Sequence, residues 1–102
     1  MQSFTNDDEQ GAYNLAEAFT EKALACMKNA EEASEAFRKG RIAMHRQFKA
    51  RGLSEVEADI RWSGSAPAAR AIADNQFFMT QASMYNVAAA TQYAKALYLK
   101  KQ

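Results

Sequence analysis

The chain has 102 residues, of which 48% are hydrophobic and 25% charged, and its formal net charge is +1. This balance fits one globular domain with a modest core, and it excludes a disordered chain, a collagen-like chain and most multi-domain enzymes. Alanine occurs 22 times, against four glycines and one proline. Because alanine is the best helix former and the other two are the worst, we expect an all-α protein and no β-sandwich.

The sequence gives no sign of secretion or of a membrane span. Residues 1–9 are acidic and lack the basic and apolar regions of a signal peptide. No stretch approaches the roughly 18 uninterrupted apolar residues of a membrane span. Cys26 is the only cysteine, so an internal disulfide is excluded. We expect Cys26 to serve as a small, buried apolar residue. These features favour a cytoplasmic protein without membrane contact.

The first predicted helix covers about residues 8–51. Thr5 or Asn6 can cap it, and the acidic residues that follow suit the positive end of the helix dipole. Apolar or small residues then recur at alternating steps of three and four, a heptad pattern that indicates one packed face. This row comprises Ala12, Ala16, Phe19, Ala23, Cys26, Ala30, Ala33, Phe37, Gly40 and Met44.

A short second helix is predicted over about residues 54–62. Gly52 can adopt the left-handed conformation that ends the first helix. Ser54 then serves as the N-cap, and Glu57 three residues later completes a capping box. The Ser-Gly-Ser segment at positions 63–65 breaks this helix.

The third predicted helix, about residues 66–100, is the least charged part of the chain. Ser65 can cap it, and Pro67 is tolerated in its first turn. Its large side chains point in several directions, and Asp74 is the only charge between Arg70 and Lys95. A helix that is apolar on most sides needs neighbours on most sides. Small residues again fill a heptad row, here Ala66, Ala69, Ala73, Gln76, Thr80, Ser83, Val87, Ala90, Ala94 and Leu97.

These patterns predict a helical hairpin of two long helices joined by a short one, as a single domain over residues 1–102. Because a lone hairpin cannot cover every side of the third helix, we expect self-association into an oligomeric helical bundle. Six large residues of this helix are the candidates for that contact: Ile72, Phe77, Phe78, Met79, Tyr85 and Tyr93.

Polar residues at positions 74–76 interrupt the apolar third helix. If Asp74, Asn75 and Gln76 are buried, they must form hydrogen bonds across a helix interface and thereby fix its register. If they are exposed, they extend a narrow polar strip that holds Asp74, Gln81, Gln92 and Lys95.

Charge is distributed unevenly, with −6 over residues 1–36, +4 over 37–61 and +3 over 62–102. Basic residues fill one arc of the first helix beside His45. We interpret this arc as the solvent-exposed outer face of the helix. The alternative is a face that binds nucleic acid without reading its sequence, since aromatic residues for base stacking are missing from the arc. The candidate polyanion-binding residues are Arg38, Lys39, Arg41, Arg46 and Lys49.

No catalytic or metal-binding motif is present. His45 is the only histidine, and the sequence contains no HExxH, CxxC or phosphate-binding glycine loop. Cys26 and His45 lie on one helix about 28 Å apart, too far for a nucleophile and its base. We therefore expect a protein that is not an enzyme and that holds no metal and no cofactor.

Two segments resemble known families. Trp62-Ser63-Gly64, followed by Ser65-Ala66, resembles the WXG-motif helical hairpins, small and usually dimeric substrates of type VII secretion with a Trp-x-Gly turn between two helices. The residues alone indicate that Trp62 packs the hairpin turn against the long helices. The run Arg70-Ala-Ile-Ala-Asp74-Asn75-Gln76-Phe77-Phe78, continued through Gln81-Ala-Ser-Met-Tyr85, is similar to small helical proteins encoded by actinobacterial phages. That resemblance implies a phage origin and an accessory role in a bacterial cytoplasm.

The leading hypothesis is a non-catalytic protein–protein interaction protein that forms a homo-oligomer and acts on a host or phage protein. The alternative is an accessory protein that binds nucleic acid through its basic arc. The third hypothesis is a secreted hairpin of the WXG type.

Overall fold

The computed structural model describes residues 6–101, with side chains from Asp8 onward. It contains three helices: α1 (Asn6–Ala50), α2 (Glu55–Ser63) and α3 (Ala66–Lys100). Within these described residues there is no strand, so the all-α prediction is confirmed, and the observed bounds lie close to the predicted ones. Thr5 and the side chain of Asn6, the expected caps of α1, lie outside the described residues.

The connection from α1 to α2 follows the predicted signals. Gly52 has a φ of +90°, and its N–H donates to the carbonyl of Lys49 over 3.0 Å. The Leu53 N–H donates to the carbonyl of Phe48 over 3.0 Å, which satisfies another carbonyl of the last turn. A left-handed glycine therefore ends α1.

Serine side chains cap the two helices that follow. The Ser54 Oγ accepts a hydrogen bond from the Glu57 N–H over 3.2 Å, which confirms Ser54 as the N-cap of α2. The Ser65 Oγ accepts one from the Ala68 N–H over 3.3 Å at the start of α3. Between them, the Gly64 N–H donates to the carbonyl of Ile60 over 3.1 Å and ends α2.

The chain divides into two compact units. The first unit combines the described parts of Met1–Met27 and Met79–Gln102, which belong to α1 and α3. The second unit, Lys28–Phe78, contains the rest of α1, all of α2 and the start of α3. In the first unit α1 and α3 run antiparallel, as the paired residues described below show.

The predicted packing row of α1 is confirmed. All ten of its residues, from Ala12 to Met44, are buried or half-buried. The helix is continuous through Gly40, although glycine is a poor residue for a helix interior.

The predicted heptad row of α3 is wrong as a packing row, because every one of its residues from Ala66 to Leu97 is exposed. A second row of α3 residues with the same spacing faces α1 instead. Half of its residues are alanine, and the others have aromatic, amide or leucine side chains. The predicted polar strip is also wrong in part, because Gln81 and Gln92 are half-buried. The observed seam comprises Ala68, Ala71, Asn75, Phe78, Ala82, Tyr85, Ala89, Gln92, Ala96 and Leu99.

Two aromatic pairs fix the register of the first unit. The Phe19 and Tyr85 rings stack with centroids 6.2 Å apart, and Tyr13 meets Tyr93 edge-on, also at 6.2 Å. From the first pair to the second, the residue number rises along α1 and falls along α3, so the two helices are antiparallel in this unit. For each α1 residue of this unit, the pairs therefore indicate which α3 residue lies at the same height along the helix axes, which we call the same level.

The second unit is organised around Trp62, which is 2% exposed. Its ring lies 5.3 Å from the ring of Phe37 between centroids and packs directly on Gly40. This confirms the prediction that Trp62 packs the turn against the helices. Asn75 is half-buried, and its Nδ2 donates to the Ala30 carbonyl over 2.9 Å and to the Ser34 Oγ over 3.0 Å. Asn75 therefore takes the register-fixing role that the sequence left as one of two possibilities.

Candidate functional site

The first unit has its small residues inside and its large apolar residues outside. Every buried hydrophobic residue described in this unit is alanine, and the buried positions are 12, 16, 23, 82, 89 and 96. Large hydrophobic side chains are instead exposed at nine positions, namely Leu15, Leu24, Met27, Met79, Met84, Val87, Tyr93, Leu97 and Tyr98. Monomeric soluble proteins rarely expose large contiguous apolar patches, so these residues mark a candidate interaction surface.

The helix periodicity sorts these residues, apart from Val87, into two faces. Tyr13 and Tyr93 each directly follow a seam residue and touch each other, so residues that follow the seam share one side of the unit. Residues that directly precede the seam share the other side, which we call the Met84 face; it holds Gly11, Leu15, Ala18, Lys22, Ala25, Gln81, Met84, Ala88, Thr91, Lys95 and Tyr98. The first side, which we call the Met79 face, holds Tyr13, Glu17, Thr20, Leu24, Met27, Met79, Ser83, Asn86, Ala90, Tyr93, Leu97 and Lys100.

The Met79 face is the more apolar of the two. It carries six large apolar side chains and the two charges of Glu17 and Lys100. The Met84 face carries three large apolar side chains and the two charges of Lys22 and Lys95. Since protein contacts are enriched in aromatic residues and methionine, the Met79 face is the better candidate.

The six candidates for self-association separate into two groups. Met79 and Tyr93 lie on the Met79 face and are exposed, and Ile72 and Phe77 are exposed in the second unit. The remaining two, Phe78 and Tyr85, are half-buried seam residues; Tyr85 stacks on Phe19 and the Phe78 ring lies 5.3 Å from that of Phe77. An acidic substitution at Phe78 or Tyr85 is therefore a test of the fold of one chain.

Sequence reasoning missed several residues of this surface. On α1 these are Leu15, Leu24 and Met27. They lie outside the heptad row of α1, and the signal that could have found them is a large apolar side chain at a position outside that row. On α3 these are Met84, Leu97 and Tyr98, whose outward direction depends on which of two rows packs.

The basic arc of α1 lies in the second unit, and much of its charge is paired. Arg38 forms an ion pair with Glu35, and Lys49 Nζ lies 3.1 Å from Glu55 Oε1. The Asp59 Oδ1 of α2 accepts hydrogen bonds from Arg41 Nε over 3.1 Å, and it lies 2.7 Å from His45 Nε2. Three of these contacts join α1 to α2. The arc thus helps to hold the short helix.

Lys39 and Arg46 are the members of the arc without an ion pair among residues 8–101. Arg46 lies in a groove of about 240 Å³ whose lining also includes Arg41, His45 and Lys49. The positive charge left for a polyanion is smaller than the sequence alone indicates.

The ion pairs shift the protonation of their members. The hydrogen bond from Arg41 is the main cause that lowers the pKa of Asp59, and the one from His45 adds to it against the opposite effect of desolvation. The hydrogen bond with Arg38 lowers the pKa of Glu35 and raises that of Arg38. All three groups are exposed, so these shifts describe surface pairs.

A groove of about 400 Å³ lies beside Trp62 in the second unit. Its lining is apolar apart from Arg70 and Asp74, whose Nε and Oδ2 atoms lie 4.0 Å apart. The Nε1 of Trp62 is buried and has no hydrogen-bond partner in the described part of the chain. The groove therefore offers apolar walls and one exposed ion pair.

Among residues 8–101 no three His, Cys, Asp or Glu side chains form a group that could hold a metal ion. None of the three described helices has a segment long and apolar enough for a bilayer. No family model matches the chain, and comparisons with curated proteins and with solved structures returned no match. The resemblances to WXG-motif hairpins and to phage proteins stay predictions from the sequence.

Proposed function

We propose that the chain is a non-catalytic helical assembly protein that forms a homo-oligomer through the exposed apolar residues of its first unit. One observation carries this proposal: among the described residues of the first unit every buried hydrophobic residue is alanine, whereas nine large hydrophobic side chains are exposed. Complete burial of a Leu, Met or Val side chain stabilises by about 1.5–3 kcal/mol relative to exposure, whereas alanine contributes far less. Association recovers the apolar burial that the isolated unit lacks.

The second unit supplies the surface for a different protein. Its α2 exposes Val56 and Ile60 one helical turn apart, and α1 exposes Ile42. A single cysteine suits a reducing cytoplasm, the setting that we propose for this contact. Nucleic-acid binding by the basic arc ranks lower because Arg38, Arg41 and Lys49 are already paired within the chain.

The test is the molar mass of the purified chain by size exclusion with light scattering, at low and at high salt. We expect a dimer or a larger oligomer at both salt concentrations, since apolar burial is not screened by ions. A monomer at both salt concentrations would refute the proposal.

A matched pair of variants locates the contact. Leu97→Asp, on the first unit, is expected to dissociate the oligomer because it would bury a charge. Val56→Asp is the control, because this residue is similarly exposed but lies in the second unit. Circular dichroism must show that both variants remain helical. If Leu97→Asp keeps the mass of the wild-type protein, the contact lies elsewhere.

A further inference from the structure

We propose that two copies pair through their Met79 faces about a two-fold axis parallel to the helices, so that α3 of each copy lies on α1 of the other. This inference rests on the proposed self-association and specifies its geometry. It commits to a second copy of this chain as the occupant of the Met79 face.

Charge complementarity favours a second copy in this arrangement. Residues 8–27 carry four acids and one lysine, a sum of −3, and residues 79–101 carry three lysines, a sum of +3. Placing α1 on α3 of the other copy brings opposite charges together twice. The other face-to-face two-fold arrangement, with α1 on α1 and α3 on α3, brings like charges together within about one Debye length.

The side chains of the face fit this arrangement. A parallel axis keeps every residue at its own level, so the second copy's Tyr13 meets the region of Tyr93, and its Met27 meets that of Met79. Glu17 of the second copy lies at the level of the residues just after Asn86. The side-chain amide of Asn86 can donate a hydrogen bond to the Glu17 carboxylate. The apolar residues thus gather at the two ends of the contact, and the charge of Glu17 gains a polar neighbour.

The size of the face passes the lower limit of a biological contact. Each helical segment of the first unit has about 20 residues and is about 28 Å long, and two adjacent helices are about 20 Å wide. The face therefore covers about 560 Å² per copy and about 1,100 Å² in the pair, which exceeds the roughly 1,000 Å² of a biological contact.

Two methionines on one helix test which face is used. Met79 is 49% exposed on the Met79 face, and Met84 is 60% exposed on the opposite one. We expect Met79→Asp to reduce the molar mass to that of a monomer and Met84→Asp to leave the oligomer intact, with both variants helical. The opposite result would overturn the choice of face.

Cross-linking tests the arrangement without placing a charge in the contact. In a Cys26→Ser background, Glu17→Cys and Ala90→Cys are prepared as separate chains with tags of different length, refolded together and treated with a short bismaleimide. Both positions are exposed. In the proposed pair, position 17 of one copy and position 90 of the other lie about two residues apart along the helix axis. We expect several-fold more of the mixed cross-linked pair than of either like pair.

The outcomes separate this inference from the proposed function. A monomeric wild-type chain refutes both. An oligomer in which Ala90→Cys cross-links to itself as readily as to Glu17→Cys refutes only the arrangement, because it places α3 on α3. An oligomer that yields no mixed pair at all refutes the arrangement as well.

Discussion

Replacing Gly40 by alanine should destabilise the protein, although the same change usually strengthens a helix. A Cβ added at position 40 would lie 3.1 Å from Cζ3 and 3.2 Å from Cζ2 of Trp62, and closer still to Cη2. The ring is almost completely buried and lies against Phe37, so it has little room to move. Overpacking of this kind costs about 1–3 kcal/mol, and the gain in helix propensity offsets about 1 kcal/mol. We expect a net loss of about 1–2 kcal/mol.

Gly11 provides a control within the same helix. A Cβ built at this position meets nothing within 4 Å, so Gly11→Ala should stabilise by up to about 1 kcal/mol. The assay is urea unfolding followed by far-UV circular dichroism. All variants are compared at one protein concentration, because the stability of an associating chain depends on it.

A double-mutant cycle separates the clash from other effects of the substitution. Trp62→Leu removes the ring, and in that background Gly40→Ala should become neutral or stabilising. If Gly40→Ala stabilises the wild-type chain, or destabilises the Trp62→Leu variant by the same amount, the proposed role of this contact is wrong.

Two further predictions concern polar contacts of the second unit. Asn75→Ala should lower the free energy of unfolding by about 1 kcal/mol, because it removes hydrogen bonds to α1, and a Ser34→Ala variant measured by the same urea assay should lose less. The lowered pKa of Asp59 means that its ionised form stabilises the fold above the unfolded pKa, near 3.9, and that this contribution disappears as the pH falls through the folded pKa. Thermal unfolding from neutral pH down to about pH 3 should therefore show a smaller acid-induced loss for Asp59→Asn than for the wild-type chain.

Local signals predicted the helix ends and the seam of α1 well. Ser54, Ser65 and Gly52 act through bonds with residues a few positions away, so their roles can be inferred from a short stretch of sequence. The α1 row was also clear, because charged and polar residues occupy most of the other positions on that helix.

The seam of α3 could not be chosen from its own sequence. This helix carries two rows with heptad spacing, and both contain many alanines, so small size does not distinguish them. Longer-range partners decide the choice: Tyr85 stacks on Phe19, and Asn75 finds a carbonyl and a hydroxyl on α1. Asn75, a polar residue of the packed row, finds its partners across the seam, which sequence periodicity cannot show.

The same choice of row determines which large residues are available to a partner. Because Phe78 and Tyr85 pack within one chain, the residues beside them in the sequence, Met79 and Met84, are turned outward on opposite faces. An alanine seam brings two helices close together but buries little apolar area per residue. The second unit offsets this with the buried Trp62 and Phe48, whereas the first unit has no buried aromatic residue among those described. We therefore expect the stability of the first unit to depend on a contact outside the chain.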